Sequence, residues 1–313
     1  MEFTTLGRTG LRVSVAGLGA GGRSRLGISY GRSETQAADV VRAAIEEGIN
    51  LIDTARYYHT EDAIGAAING RPRDSLVLCT KTPIRRKEGR IDPEVIRSHV
   101  EESLTRLHTD TIDVFYLHGV AARDYDFAVS ECLPVLESLR SSGKIRFIGM
   151  TESFNADRTH QTLARATRDS HWDVVMTGFN MLNQTARETV FPQTMERGIG
   201  TTLMFAVRRA FSRPEALREA LDRLVSNGYD GLGGLDRDDP LGFLVRPGGA
   251  HSLPDAAYRF CRHEPGVDCV LFGTGNPDHI RDNIASILRP PLPKPDLARL
   301  RELFGKVNTE SGG

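Results

Sequence analysis

The stretch INLIDTARYYHTEDAIGAAINGRPRDSLVLCTK (49–81) contains one complete unit of the pattern that decides the fold. Two nearly continuous apolar runs, INLIDT (49–54) and SLVLCTK (75–81), flank an amphipathic segment. Continuous apolar runs are typical of parallel strands that are buried on both faces. The stretch therefore predicts a strand–helix–strand unit, with polar side chains where each strand ends.

This unit recurs along the chain. Apolar runs rich in β-branched residues predict eight strands, which end near Gly19, Thr54, Lys81, His118, Thr151, Asn180, Phe205 and Gly273. Helical periodicity lies between them, for example in residues 35–48, 93–107 and 134–144. Eight such units predict an α/β fold, a closed (β/α)₈ TIM barrel. Because no composition break divides the chain, we expect residues 1–313 to form a single domain.

Two segments depart from a plain barrel. FTTLGRTGLRV (3–13) predicts an N-terminal β-hairpin that turns at Gly7–Gly10 and plugs the bottom of the barrel. The connection 207–252 is a long loop after strand 7 that includes a predicted helix, PEALREALDRLVSNG (214–228). Long loops in compact domains are usually lids or binding loops.

Composition and charge exclude several classes of protein. With 40 basic and 41 acidic residues among 313, the net charge of −1 gives no field that attracts nucleic acid or anionic lipid. The first ten residues lack the apolar core of a signal peptide, and no run reaches the roughly 20 apolar residues that span a bilayer. The four cysteines have no CxxC spacing and are interpreted as buried thiols. We expect a cytoplasmic globular protein without nucleic-acid or membrane partners.

Gly17, Gly19 and Gly22 match GxGxxG, the dinucleotide motif of an open, doubly wound sheet. In that fold a helix begins at the third glycine, so that its N-terminal N–H groups meet the pyrophosphate. Here a polar segment, RSRLGISYGR (23–32), comes first, and the nearest acidic residue at a strand end is Asp53 rather than one about 20 positions on. The doubly wound fold is therefore the less favoured alternative.

Polar residues with complementary chemistry stand at three neighbouring strand ends. Asp53 and Tyr58 follow the second strand, Lys81 ends the third, and His118 ends the fourth. In a barrel these ends share one rim. Each residue alone has an ordinary explanation, such as a helix cap, rim packing or a solvated charge. Together they predict an active site.

The chain resembles the aldo-keto reductases in NLIDTARYY (50–58), LCTK (78–81), IDVFYLH (112–118), GKIRFIGMT (143–151) and the segment 273–283. These matches occur in the same order over almost the whole chain. The family's tyrosine lies five residues after its aspartate, which selects Tyr58 over Tyr57. The resemblance implies a catalytic set of Asp53, Tyr58, Lys81 and His118, NADP(H) or NAD(H) as cofactor, and a small carbonyl or alcohol substrate.

These residue types suit carbonyl reduction, which requires a hydride at carbon and a proton at oxygen. A tyrosine with an ordinary pKa of about 10 is a poor acid at neutral pH. We expect the Lys81 ammonium to lower the pKa of Tyr58, and Asp53 to hold Lys81 charged. A neutral His118 would donate a hydrogen bond to the carbonyl oxygen. The hydride must come from a cofactor.

The resemblance also implies a set of cofactor-binding positions, with departures from the usual residues. The set is Gly21, Asp53, Thr151, Glu152, Met176, Met204, Phe205, Arg208, Gly273, Thr274, Gly275, His279, Asp282 and Asn283. Thr151-Glu152 stands where the family has Ser-Asn, and Met176 where it has Gln; these positions ordinarily hold the nicotinamide carboxamide. Glu152 can accept from the amide, but neither an ionised Glu152 nor Met176 can donate to it. The aromatic residue that stacks on the nicotinamide falls on Met204, with Phe205 adjacent.

Residues near the adenine end bear on the choice between NADPH and NADH. Four positions close to a 2′-phosphate carry neither Lys nor Arg: Gly273, Thr274, Gly275 and His279. Arg281 is near them, and Arg208-Arg209 is placed to meet the pyrophosphate, although solvated arginines are an equal alternative. We expect weak discrimination between the two cofactors. The basic run Arg85-Arg86-Lys87 is interpreted as solvated.

Three functions remain open at this stage. The first is an NAD(P)H-dependent reductase of an aldehyde or ketone. The second is a nicotinamide-nucleotide-binding regulatory subunit with little turnover, like the potassium-channel β subunits. The third is a lyase or isomerase that uses Lys81 as a Schiff base. The intact catalytic set favours the reductase, and Asp53 beside Lys81 disfavours the Schiff base.

Overall fold

Eight parallel strands close into a barrel at the centre of the molecule, which the computed structural model describes from Met1 to Gly313. The strands of the chain are β1 (Phe3–Thr5), β2 (Arg12–Ser14), β3 (Ala16–Gly19), β4 (Leu51–Asp53), β5 (Val77–Pro83), β6 (Arg85–Arg86), β7 (Gly89–Arg90), β8 (Ile112–Val120), β9 (Ile145–Glu152), β10 (Val174–Gly178), β11 (Gly200–Met204) and β12 (Cys269–Phe272). The barrel order is β3-β4-β5-β8-β9-β10-β11-β12, and β12 pairs with β3 to close it. The TIM barrel is confirmed, and the doubly wound alternative is wrong because such a sheet stays open.

Helices cover the outside of the barrel. They are α1 (Glu34–Glu46), α2 (Glu61–Ile68), α3 (Val95–Arg106), α4 (Tyr125–Phe127), α5 (Leu133–Ser141), α6 (Gln161–Ala166), α7 (Ala186–Thr189), α8 (Phe191–Arg197), α9 (Arg209–Ser212), α10 (Pro214–Ser226), α11 (Leu253–Arg262), α12 (Asp278–Leu288) and α13 (Lys294–Phe304). Helix α1 begins with a capping box, in which the Ser33 hydroxyl accepts from the Gln36 N–H and the Gln36 side chain accepts from the Ser33 N–H. No helix of the chain combines the length and the hydropathy that a membrane crossing requires.

The N-terminal hairpin of β1 and β2 closes the bottom of the barrel, as the sequence predicted. Leu6 is fully buried and joins the apolar residues of the barrel interior. The Gly7 N–H donates to Asp268 Oδ2 at 3.2 Å. A Cβ at Gly7 would lie 2.2 Å from the Gly200 nitrogen, so only glycine allows this close approach. The plug therefore depends on contacts with the strands that come last in the chain.

Alternation along the strands decides which side chains reach the interior. Leu51 and Cys79 belong to the apolar cluster inside the barrel, whereas Ile52 packs in the cluster between the sheet and the helices. Because side chains alternate between the two faces, Asp53 and Lys81 point inward two residues later. Both stand at the C-terminal ends of their strands, and this places them on the upper rim.

The long connection after β11 contains α9, α10 and a short 3₁₀ turn, Gly242–Leu244. The predicted helix 214–228 is α10, which ends at Ser226. A short antiparallel hairpin of β6 and β7 was not predicted, and it carries the basic run that follows β5. This hairpin stands on the same rim as the strand ends described above.

Candidate active site

Lys81 and Asp53 form a buried ion pair at the centre of the rim. The Lys81 side chain has no exposed surface. Its Nζ donates to Asp53 Oδ1 at 2.6 Å, to Asp53 Oδ2 at 2.7 Å and to the Thr54 carbonyl oxygen at 2.6 Å. An ammonium has three hydrogens, so these acceptors use all of them. Lys81 therefore acts on its other neighbours through its charge.

Burial and the ion pair act in opposite directions on Lys81. Burial lowers the pKa of the Lys81 ammonium, but the adjacent Asp53 carboxylate outweighs this effect, so the pKa is raised. Burial raises the pKa of the Asp53 carboxyl, and Lys81 opposes that change. The proton of the pair thus stays on Lys81. A protonated amine is not a nucleophile, which disfavours Schiff-base chemistry at this residue.

The Tyr58 hydroxyl meets His118 above this ion pair. The oxygen lies 3.3 Å from His118 Nε2, and the two rings pack edge to face with centroids 5.6 Å apart. Lys81 Nζ is 5.3 Å from the centroid of the Tyr58 ring. Tyr57, by contrast, is 63% exposed. The structure thus brings Tyr58, and not Tyr57, to the other members of the predicted set.

The pKa of Tyr58 differs from the sequence-based expectation. Burial raises it, and although the positive charge of Lys81 lowers it, the net result is above the ordinary value. Lys81 thus acts in the expected direction, but burial is the larger effect, so the pKa of Tyr58 is not lowered overall. Tyr58 is consequently protonated at neutral pH, which is the form that donates a proton.

His118 lies where the pairing of β8 becomes irregular. The register of β8 with β9 shifts between Leu117 and Val120, and Gly119 has a φ of +63°. Burial, followed by the charge of Lys81, lowers the pKa of His118 to about 3. The imidazole is therefore neutral at physiological pH, as expected from the sequence.

Gly21 lies directly behind the Tyr58 ring. A Cβ at this position would lie 2.4 Å from Tyr58 Cε2, closer than real contacts allow. Sequence reasoning assigned Gly21 to cofactor binding. The structure gives it an additional effect, since the missing side chain leaves room for the tyrosine.

The residues expected at the nicotinamide carboxamide point in different directions. Thr151 accepts a hydrogen bond from the Gly119 N–H at 2.7 Å. Glu152 Oε1 instead accepts from the Gly178 N–H at 2.7 Å and from the Thr177 hydroxyl at 2.9 Å. Its Oε2 lies 2.8 Å from Nδ1 of the buried His160. Protein groups thus engage both oxygens of Glu152. Met176 belongs to the apolar interior of the barrel.

The end of β11 carries an aromatic stack. The Phe205 ring stacks on Phe154 with centroids 5.9 Å apart, and Phe205 has a φ of +70°. Arg208 Cζ lies 4.2 Å from the centroid of Phe205, on its ring face. Met204 packs against the interior cluster. The flat surface at this strand end is therefore formed by Phe205.

Arg208 is a cation without a paired carboxylate. Its Nη1 donates to Asn155 Oδ1 at 3.0 Å, and no Asp or Glu oxygen lies within 4.0 Å of the guanidinium. Burial, with the nearby charges of Arg158 and Arg23, lowers the pKa of Arg208 to about 10. The charge of Glu310 opposes this shift, but Glu310 is itself paired with Arg223, so a net positive charge at this rim fits the pyrophosphate of a nicotinamide dinucleotide.

The segment 273–283 packs beside the loop that follows β3. A Cβ at Gly275 would lie 2.5 Å from the Gly27 Cα, so these backbones are in direct contact. His279 is exposed, but Arg281 forms an ion pair with Glu47 at 2.6 Å. The other members of the predicted set here are Gly273, Thr274, Asp282 and Asn283, of which Thr274 is buried. This segment offers a 2′-phosphate no unpaired guanidinium.

Sequence reasoning missed the pairing of the basic run with Asp124. Arg85 Nε donates to Asp124 Oδ2 at 2.8 Å, and Arg90 Nε donates to Asp124 Oδ1 at 2.9 Å. The expectation that the run is solvated is therefore wrong for Arg85. The partners are 39 and 34 residues apart in the chain, and no local pattern marks them.

Comparison with known proteins covers almost the whole chain. The model of the Aldo/keto reductase family matches residues 18–304. L-galactose dehydrogenase of Arabidopsis thaliana is 39% identical over 158 residues, which is 48% of each chain. Aldo-keto reductase YhdN of Bacillus subtilis is 29% identical over 307 residues, which covers 90% of this chain and 87% of YhdN. The holo form of aldo-keto reductase AKR11C1 from Bacillus halodurans superposes with a TM-score of 0.75 at 27% identity, over 97% of this chain and 96% of that one. The chain belongs to the aldo/keto reductase family and is an NAD(P)-dependent oxidoreductase of small carbonyl compounds.

Proposed function

We propose that this oxidoreductase reduces a small aldehyde or ketone to the alcohol, reversibly, with Tyr58 as the general acid. The observation that carries the proposal is the 3.3 Å approach of the Tyr58 hydroxyl to His118 Nε2 above the buried Lys81–Asp53 pair. Two neutral hydrogen-bonding groups and one cation then surround the point at which a carbonyl oxygen gains negative charge. Such preorganised groups stabilise a developing oxyanion strongly.

Each side chain has a separate part in the proton transfer. NAD(P)H, when bound, would supply the hydride to the carbonyl carbon. Tyr58 and His118 each donate a hydrogen bond to the carbonyl oxygen, and the Tyr58 proton moves to that oxygen as the alcohol forms. The phenolate left behind is stabilised by the charge of Lys81 and regains a proton from solvent. His118 stays neutral throughout, because its pKa of about 3 disfavours protonation.

The cofactor's phosphates are assigned to the positive rim. Arg208, with Arg158 and Arg23 nearby, would hold the pyrophosphate, and the glycine-rich turn from Gly273 to Gly275 would allow close approach of the adenine nucleotide. The Thr151 hydroxyl oxygen accepts a hydrogen bond from the Gly119 N–H, whereas protein groups engage both carboxylate oxygens of Glu152. The Thr151 hydroxyl therefore keeps its proton free for donation. We assign the carboxamide contact to Thr151.

A binding-only regulatory subunit is the alternative. It needs the nucleotide site but not a proton donor beside a neutral imidazole. The Tyr58–His118 approach and the buried cation below it therefore favour the enzyme.

The test is the loss of reduced-nicotinamide absorbance when purified protein is mixed with NADPH or NADH and a panel of aldehydes and ketones. We expect turnover with at least one reactive aldehyde and none with Tyr58→Phe. Tight nucleotide binding without turnover on any carbonyl or alcohol would support the regulatory subunit and reject the proposal.

We also propose a cytoplasmic location, which the state of the cysteines supports. Cys79, Cys132, Cys261 and Cys269 are all free and buried. Free thiols persist in reducing compartments, so we assign the protein to the cytoplasm. Recovery of the native protein in a membrane or secreted fraction would contradict this.

A further inference from the structure

A polar cleft opens beside His118, and neither Arg208 nor any residue of segment 273–283 lines it. Its volume is about 470 Å³, and its walls come from the end of β5, the connection after β8 and the loop after β9. We call it the His118 cleft; its polar walls include Arg85, Arg123, Asp124, Ser153 and Asp157. Its apolar lining consists of Ile84 and three alanines. A large apolar or aromatic substrate would find few partners in it.

Three arginines surround Asp124, the one buried carboxylate of this cleft. Asp124 is 2% exposed, and Arg85 and Arg90 donate to both of its oxygens at 2.7 to 2.9 Å. Arg123 Nε lies 3.7 Å from Asp124 Oδ2. Hydrogen bonds from Arg85 are the main reason why the pKa of Asp124 falls to about 2. Three guanidinium groups therefore share one permanent anion.

The second carboxylate of the cleft is also engaged. Asp157 Oδ1 accepts from the Gln161 N–H at 2.9 Å and Oδ2 from the Thr162 N–H at 2.8 Å, so this charge caps α6. The free polar groups are donors: the Arg123 side chain is 74% exposed, and Arg85 Nη1 has no protein acceptor. The cleft offers a ligand cationic donors and no free carboxylate.

We propose that the His118 cleft binds the anionic group of a short carbonyl substrate, a carboxylate held by Arg123 and Arg85 while the carbonyl meets Tyr58 and His118. A planar guanidinium matches a carboxylate in charge and geometry. This inference rests on the proposed function, because it names the substrate class for the same site.

The test compares two substrates of nearly equal shape, succinic semialdehyde and its methyl ester, which lacks the charge. For the wild type we expect kcat/KM to be at least about tenfold higher for the acid, which corresponds to roughly 1.4 kcal/mol. Arg123→Gln should reduce this preference severalfold, because only Arg85 then meets the carboxylate, and kcat/KM should fall more for the acid than for the ester. Lys87→Gln removes an exposed charge of the same hairpin outside the cleft, and it should keep the preference. A phosphate-bearing aldehyde distinguishes a carboxylate site from a phosphate site, and a preference for it over the acid overturns the assignment to a carboxylate.

The outcomes separate the two proposals. Equal kcat/KM for acid and ester, or equal losses in Arg123→Gln and Lys87→Gln, would overturn the anionic subsite while the reductase function stands. Absence of turnover on every carbonyl would reject the reductase. In that case calorimetric titration with succinate still tests the cleft: binding to the wild type that is weakened in Arg123→Gln but not in Lys87→Gln supports it, and absence of binding to the wild type overturns it.

Discussion

At the residue scale, the proposed proton donor is Tyr58, whose hydroxyl is 3.3 Å from His118 Nε2. We expect Tyr58→Phe to lower kcat by about 10²–10⁴-fold, the usual contribution of general acid catalysis, because the ring remains and only the proton donor is lost. The dissociation constant for NADPH should change little. Tyr57→Phe is the matched control, since Tyr57 is exposed, and it should retain full activity. Steady-state kinetics and nucleotide titration measure both quantities; if Tyr58→Phe kept more than about a tenth of the activity, Tyr58 would not be the acid.

Lys81 also has a part in stability, because it neutralises Asp53 in a buried setting. We expect Lys81→Met to lower the free energy of unfolding by about 3–5 kcal/mol, since an unpaired charge remains buried. Activity should fall sharply as well. The double variant Lys81→Met/Asp53→Asn removes the stranded charge and should recover part of the stability. Urea denaturation of the three proteins tests this, and equal stability of Lys81→Met and wild type would contradict it.

At the element scale, the contact between β5 and α3 makes stability depend on pH. His99 is 2% exposed, and its Nδ1 lies 2.7 Å from the Thr82 hydroxyl oxygen. Burial, then the charges of Arg56 and Arg86, lowers the pKa of His99 to about 4. The unfolded chain therefore takes up a proton first, near pH 6.5, where a free histidine titrates. The stabilisation is complete above about pH 6.5 and is lost as pH falls toward 4.

We expect His99 to contribute a slope of up to about 1.4 kcal/mol per pH unit in this window. Denaturation series between pH 7 and pH 4 measure it. His99→Gln should show a shallower slope than the wild type, and His251→Gln, at an exposed position, should not change it. Identical slopes for wild type and His99→Gln would show that His99 is charged in the folded protein.

We expect the preference between NADPH and NADH to depend on the turn and helix at 273–283. No unpaired guanidinium of this segment faces a 2′-phosphate, because Glu47 binds Arg281. One charge-assisted hydrogen bond is worth roughly 1.5–3 kcal/mol, so its absence removes about tenfold or more of any NADPH advantage. We expect both cofactors to bind, with a preference for NADPH below about a hundredfold (roughly 2.7 kcal/mol). Dissociation constants at pH 6 and pH 8 decide this; a larger preference at both pH values would require a fixed cation at the phosphate.

The elements differ in how far the sequence predicts them. The C-terminal ends of the barrel strands could be predicted to within about two residues, because burial on both faces of a parallel sheet demands continuous apolar runs. The orientation of the Glu152 side chain could not be predicted from the sequence, because it depends on how far β9 continues past Thr151. The pair of Arg85 and Asp124 could not either, since only the folded chain brings the two together. Nor could the raised pKa of Tyr58, because burial is a property of the assembled site.

At the scale of the whole molecule, we propose that residues 1–313 form one cooperative domain, because the hairpin of β1 and β2 contacts strands from the far end of the chain. Leu6→Ala should lower the free energy of unfolding by about 2–5 kcal/mol, the usual cost of a buried cavity. Val225→Ala, at a position that is 42% exposed, should stay within about 0.5 kcal/mol of the wild type. Both should unfold in a single transition, followed by fluorescence and circular dichroism together. Two separate transitions would show that the chain is not one domain.

Closure of the barrel by β12 on β3 has a consequence for the nascent chain. The ribosome releases β3 about 250 residues before β12, and at about 5–20 residues per second this interval lasts roughly 10–50 s. During that time the backbone donors and acceptors along one edge of β3 have no strand partner. An unpaired edge is a template for wrong pairing, so the growing polypeptide is exposed to mispairing along β3 until its last barrel strand emerges.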